Sequence, residues 1–276
     1  MKLIERIRAG LVDWNQAHEY MHEIMPVLFA KESDKATPVC VDIQNVFEWV
    51  HSLQADFYTI PTMCVKGKLP FFSMWTEFEQ PILIRHDNDE STEDILEVGV
   101  LTVEDHFKGS VTVGGVKTEA INLMFLFDRR KRSETRANFM GIAKVFLDEN
   151  HQGIAAEHYQ PGGSNEDGAG VEFDHDHEIS DFIPTMSALS FFHCKNVELK
   201  TKAPNIRKAN KFIKKYHTAP AVWNVIHVHR LTKKYLEKGP GNKRGALIGA
   251  SMIRGHFKKY TSDAPLLGKH VGMYFW

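Results

Sequence analysis

Cysteine is scarce and scattered. Cys40, Cys64 and Cys194 are odd in number, far apart and without a C-x-x-C pair, which argues against a disulfide framework or a thiol zinc site and points to a reducing cytosol. Long hydrophobic runs are missing too: the longest, Leu123 to Phe127, falls far short of the ~20 residues a membrane-spanning helix needs. Lys2, Glu5 and Arg6 interrupt any apolar leader core, so no signal peptide is expected. No G-x-S-x-G or other nucleophile motif occurs, which leaves Ser/His/Asp chemistry without local support. There is no internal repeat and no low-complexity segment.

Acid is what the last third lacks. From Lys195 to Trp276 there are 18 Lys and Arg against three acids, Glu198, Glu237 and Asp263, a formal +15; the first 194 residues hold 16 against 32, a formal −16. The total of −1 hides a two-signed molecule. A basic tract of that density makes a long-range field that attracts polyanions or an acidic partner. With 43 % hydrophobic residues over 276 positions the chain can bury a core, which excludes disorder and predicts one large domain or two closely packed lobes. The charge boundary separates an acidic α+β lobe, 1–194, from a basic C-terminal lobe, 195–276, the two packed as one unit.

Leu3, Ile7, Leu11, Trp14, Met21 and Met25 recur at three- and four-residue steps apart from the turn at His18, predicting an amphipathic helix that Pro26 ends or kinks. Thr37 before Pro38 reads as an N-cap and first helical position, with Val39, Ile43, Val46, Phe47, Val50 and Leu53 as a second stripe. A helical pair over 3–54 is expected, its stripes with Trp14 and Trp49 as core. From Phe57 to Leu147 the pattern shortens to extended runs: Phe71 to Phe78, Pro81 to Arg85, Leu96 to Val103, Ser110 to Val116 with a tight hairpin at Gly114-Gly115, Ala120 to Phe127, and Asn138 to Leu147. His86 to Asp94 and Gly162 to Gly170 read as loops. Ile179, Ile183, Met186, Leu189 and Phe192 restore helical spacing over 179–193, with Ser180 as cap. Beyond it, Val197 and Leu199 give a short strand, Asn205 to Lys215 is too charged to bury, and Val222 to Leu231 alternates as a strand. Ile248 to Tyr260 and Lys269 to Trp276 supply the last strands. The fold class is α+β: an N-terminal helical pair, a central antiparallel sheet, a connecting helix and basic C-terminal strands.

Four stretches carry possible chemistry. In Asp174-His175-Asp176-His177-Glu178 an extended chain puts Asp174, Asp176 and Glu178 on one face and His175 and His177 on the other, either being a candidate ligand set for a divalent cation, although a solvated acidic loop gives the same string. His227 and His229 share a strand face with Trp223 and Val225; if His256 and His270 converge with them near Arg254, a His pair beside an Arg could cleave a ribose phosphodiester. The competing reading is a basic face that binds without chemistry, Arg and Lys meeting phosphates and aromatic residues stacking on bases. Gly239 to Gly245, containing Lys243 and Arg244, lacks the Gly-Lys-Ser/Thr ending of a phosphate loop and reads as a basic hairpin loop. Asp128-Arg129-Arg130-Lys131-Arg132 reads as a solvated turn between strands, or as an extension of the C-terminal positive surface if the fold brings the two together. No cofactor is expected.

Arg254-Gly255-His256-Phe257-x-x-Tyr260, then Pro265-Leu266-Leu267-Gly268-Lys269 and the aromatic close Tyr274-Phe275-Trp276, resembles the C-terminal signature of a family of phage and plasmid proteins. That family includes the type V-A anti-CRISPR inhibitor acting on biogenesis of the Cas nuclease. Cys194-Lys195-Asn196-Val197 and the segment from Trp223 to His229 are similar as well; upstream, Leu69-Pro70-Phe71 through Trp75-x-Glu77-Phe78 is the similar stretch. The resemblance implies a cytoplasmic accessory protein of a phage or mobile element in a bacterial host. It would recognise a specific host protein, a Cas nuclease or its nascent chain, and contact RNA or ribosome to lower that protein's expression. The binding set it implies, together with the basic clusters, is Arg254, Gly255, His256, Phe257, Lys258, Lys259, Tyr260, Lys243, Arg244, Arg207, Lys208 and Lys211. In it Arg254 takes a phosphate or carboxylate, His256 a hydrogen bond, and Gly255 permits close backbone approach. Two other classes stay open: a metal- or His-dependent ribonuclease, and a phage structural protein whose basic face binds another protein.

Overall fold

A computed structural model describes residues 2–13, 21–29, 37–53, 60–85, 91–105, 112–159, 180–202, 204–217, 219–228, 258–259 and 274–275. In chain order the elements are α1 (Leu3–Arg8), β1 (Val12–Asp13), α2 (Met21–Leu28), β2 (Val39–Asp42), α3 (Gln44–His51), α4 (Ile60–Met63), β3 (Ser73–Arg85), β4 (Ser91–Asp105), β5 (Thr112–Val113), β6 (Val116–Lys117), β7 (Ala120–Arg130), β8 (Ala137–Leu147) and β9 (Gly153–Tyr159). A 3₁₀ turn (Ser180–Phe182) then leads into α5 (Ile183–Phe192), β10 (Val197–Lys202), α6 (Ile206–Tyr216), β11 (Trp223–Val228), β12 (Lys258–Lys259) and β13 (Tyr274–Phe275). The fold is α+β, a large curled central sheet with few helices.

The sheet runs β1-β8-β7-β4-β3-β2-β11-β10, with β9 also on β8. Its middle is antiparallel, β3 to β4 to β7 to β8. Beyond the middle it is mixed: β2 lies parallel to β3, β11 parallel to β2, and β1 parallel to β8. The basic stretch thus enters the sheet through β11, and its partner β10 lies at the end of the strand order.

Both faces of the sheet are covered. On one, Met74, Phe78, Val98, Val100, Met124 and Leu126 pack against α3, α4 and α5; on the other, Trp75, Leu101, Phe125 and Phe127 pack against Leu3, Ile4 and Ile7 of α1 and Ile24 and Leu28 of α2. Strands buried on two sides need not alternate, which explains the unbroken apolar run Leu123 to Phe127. Gly99 makes room for this arrangement: a Cβ there would lie 2.8 Å from Trp75 Cη2 and 3.0 Å from Leu3 Cδ2, and would strike Trp75 Cζ2.

The N-terminal helices differ from expectation. Gly10, at φ 76°, ends α1 after Arg8, and Leu11 N–H donates to Arg6 O at 2.9 Å. A left-handed glycine closing the last turn is a strong stop signal, and it outweighs the apolar spacing that continues past it. Pro26 lies inside α2, and Val39–Asp42 is a strand where the Thr37 cap predicted helix. Pairing with both β3 and β11 decides this, since Val39 and Val41 suit a strand held on two sides. The helix starts later, and Asp42 Oδ1 accepts from Gln44 N–H at 3.2 Å. The expected runs Phe71 to Phe78 and Pro81 to Arg85 are one strand, Ser73–Arg85, that continues through Pro81. The hairpin at Gly114-Gly115 is present, both glycines at positive φ. Ser180 opens a 3₁₀ turn rather than capping α5, whose first turn holds Pro184. Residues 86–90 and 162–170 of the expected loops lie outside the described residues, and 91–94 are the start of β4.

Of the run Asp128 to Arg132, Arg130 to Arg132 are exposed and Lys131 and Arg132 lie in the turn between β7 and β8, as expected, whereas Arg129 is a correction. Arg129 is 3 % exposed and donates from Nε to Glu97 Oε2 at 2.8 Å and from Nη1 to Glu134 O at 2.7 Å. β4–β7 register sets Glu97 opposite Arg129, and β3–β4 register sets Glu79 opposite Glu97. Lys131 Nζ closes the row at 2.7 Å from Glu79 Oε1. A charge in this position is tolerated because its partners lie one strand away.

One row inward, Glu77 is fully buried. Its carboxylate accepts from Leu3 N–H at 3.2 Å and Trp75 Nε1 at 3.2 Å and lies 3.6 Å from Lys2 Nζ. Burial outweighs these partners and pushes its pKa up to about 7; burial likewise raises Asp128 to about 6. No helix among the described residues is long and apolar enough to cross a membrane.

Two outcomes are expected. The native Glu77 carboxyl holds its proton up to about pH 7, while the unfolded one releases it near 4.5. Stability from this group is therefore full below the ordinary carboxyl range and lost as pH rises through 7, on the order of 3 kcal/mol. Asp128 acts in the same direction. Urea unfolding of Glu77→Gln between these pH values should show a flatter profile than the parent; an unchanged slope would refute the assignment. Gly99→Ala should cost about 2 kcal/mol or more, read as a lower urea midpoint at constant m-value, because the new methyl overpacks Trp75.

Candidate polyanion-binding surface

The stretch from Leu199 to Leu236 contains no Asp or Glu. Its centre is α6, which leaves the sheet after β10 and returns to it as β11. Asn205 caps it, Oδ1 accepting from Arg207 N–H at 3.0 Å and Lys208 N–H at 3.3 Å, and His217 closes it in the left-handed region at φ 55°, its N–H donating to Ile213 O at 2.8 Å. The helical period places Arg207, Lys208, Lys211, Lys214 and Lys215 on one arc and Ile206, Ala209, Phe212, Ile213 and Tyr216 on the other.

No residue of α6 is buried. Phe212 and Tyr216 are half-buried, their ring centroids 4.8 Å apart, and Lys215 Nζ lies 5.0 Å from the Tyr216 ring centre. Tyr216 also acts electrostatically on Arg6 of α1, whose pKa is lowered chiefly by burial and next by Arg129. The aromatic side of the apolar arc thus faces the body, while all five cations lie at exposed positions.

Of the expected binding residues, Arg207, Lys208 and Lys211 are brought together here. Lys214 and Lys215 complete the arc. A segment too charged to bury does not by itself single them out; the 3.6-residue spacing behind an Asn cap is the signal that does. Lys258 and Lys259 form β12 and pair with Phe275 and Tyr274 of β13, which joins the flank of the Arg-Gly-His motif to the aromatic close. Lys243, Arg244, Arg254, Gly255, His256, Phe257 and Tyr260 lie outside the described residues.

The candidates for chemistry are less assembled. His227 is exposed on β11, across the ladder from Glu198, while Trp223 on the same strand face is buried, with Lys2 Nζ 4.9 Å from its ring centre. His229, His256 and His270 lie outside the described residues, as do Asp174, His175, Asp176, His177 and Glu178. Among the described residues no three His, Cys, Asp or Glu side chains are grouped to hold a metal. Cys40, Cys64 and Cys194 are free and buried, and burial pushes each thiol up to about 12, so none supplies a thiolate at neutral pH. What the described surface offers is fixed positive charge on a capped helix, suited to phosphate or carboxylate groups. In comparison with known proteins, the chain matches no family model, no curated protein and no solved structure.

With no buried anchor, α6 depends on its ends. Asn205→Ala should cost about 1 kcal/mol locally, faster amide exchange from Arg207 to Lys211 being the readout and the global unfolding midpoint staying in place.

Proposed function

We propose that this protein is an anti-CRISPR-like accessory protein of a phage or mobile element, acting in the bacterial cytoplasm. It recognises a specific host protein, for which the resemblance points to a Cas nuclease or its nascent chain. Through its basic C-terminal third it contacts RNA or ribosome and lowers that protein's expression. The observation that carries this reading is the separation of charge, −16 before Lys195 and +15 from it onward, with α6 holding five cations outward and no acid near them in sequence. The C-terminal resemblance supplies the biological setting. The basic C-terminal strands belong to the same proposal.

Cations on one arc exchange condensed counterions for phosphates on binding, so affinity for RNA must fall as salt rises. Five contacts correspond to a log–log slope of about −4, and Lys208→Ala/Lys211→Ala should lower its magnitude by about 2. Titration of the full chain into a labelled RNA hairpin at several salt concentrations measures this; a flat dependence rules RNA contact out. Affinity purification from translating cells, with and without ribonuclease, tests the rest. One co-purifying protein together with its message supports the proposal, and recovery of no RNA with phage proteins alone refutes it.

A further inference from the structure

Among the described residues of the basic stretch, the large exposed aliphatic side chains lie on α6 or between it and β11. Ile206 is 77 % exposed, Ile213 44 % and Val222 45 %. Ile206 and Ile213 lie on the edge of the apolar arc away from half-buried Phe212 and Tyr216, with Asn210, Lys214 and Arg207 next around the helix. Val222 precedes Trp223, whose ladder partner Lys202 ends β10, so Val222 and the start of α6 lie at the same end of that ladder.

RNA does not account for this edge. Phosphates take up Lys and Arg, and bases take up aromatic faces, but isoleucine and valine offer neither a stacking plane nor a hydrogen bond. An apolar strip bordered by cations is matched by a partner that brings apolar surface and carboxylates together. We propose that α6 and Val222 dock an acidic amphipathic helix of a protein partner. The partner's apolar stripe lies on Ile206, Ile213 and Val222, and its carboxylates face Lys214 and Arg207, in the manner of a helix laid on an apolar groove. Lys208, Lys211 and Lys215, farther around the helix, stay available to phosphate. The proposal rests on reading the basic stretch as an interaction face and adds which class of protein that face selects.

The test uses the full chain and fluorescence anisotropy. The probe is a labelled peptide of about 16 residues, long enough to hold a helix on docking, with Leu at helical spacing and Glu elsewhere; a shuffled peptide of the same composition and an RNA hairpin are the comparators. The helical peptide should bind about tenfold tighter than the shuffled one. Ile206→Gln/Ile213→Gln should abolish that preference while leaving RNA affinity within about twofold. Both positions are exposed, and an unchanged thermal midpoint shows that the variant folds. Equal binding of the two peptides, or a preference that survives the double substitution, overturns the proposal. So does sedimentation showing a self-associated chain that the substitution makes monomeric, since a second copy would then own the edge. A chain that binds RNA with the expected salt slope but ignores peptide order fails this proposal and keeps the functional reading; one that binds neither fails both.

Discussion

A helix with no solvent face sets the terms for this fold. Residues 183–191 of α5 are all buried, and such a helix needs a covering on every side. The sheet provides one side and α3 and α4 contribute to the rest. Three of the buried residues are polar and each is answered: Thr185 by Thr76 at 2.6 Å, Ser187 by Met63 Sδ at 3.6 Å, and Ser190 by Lys66 N–H at 3.2 Å. With one sheet face committed to α5, the short N-terminal helices close the other.

Charge is used in two ways. Under α1, Glu77 is removed from water, and next to it Glu97 and Arg129 survive burial because strand register brings their partners alongside. On α6 the same residue types stay in solvent with no acid near in sequence, and their field is free to act on a partner. Arg129 is thus held by its sheet partners while Arg207, Lys208, Lys211, Lys214 and Lys215 stay exposed, and the difference is their place in the fold.

Much of the candidate surface was legible. Arg207, Lys208 and Lys211 stood out because a charge run cannot be buried unpaired, and Lys214 and Lys215 were readable from the helical period. Gly10 was equally visible as a helix stop but was outweighed by apolar spacing, which reports burial and not continuity. β2 was not legible, since its valines carry a helical stripe as readily as a strand until β3 and β11 lie beside it.

By itself the sequence determined the division of charge, the Gly114-Gly115 hairpin, the long strands β7 and β8 and the buried stripe of α5, because each depends on composition or on periods of two and 3.6 residues. Tertiary structure alone decided that Arg129 is buried, that β2 is a strand, that β11 lies parallel to β2, and that Ile206 and Ile213 stay uncovered. Each of these depends on which distant residues meet, through strand register and the packing of helices on a curled sheet, and no local pattern encodes a partner 32 residues away, as Glu97 is from Arg129, or 184, as Cys40 is from Asn224.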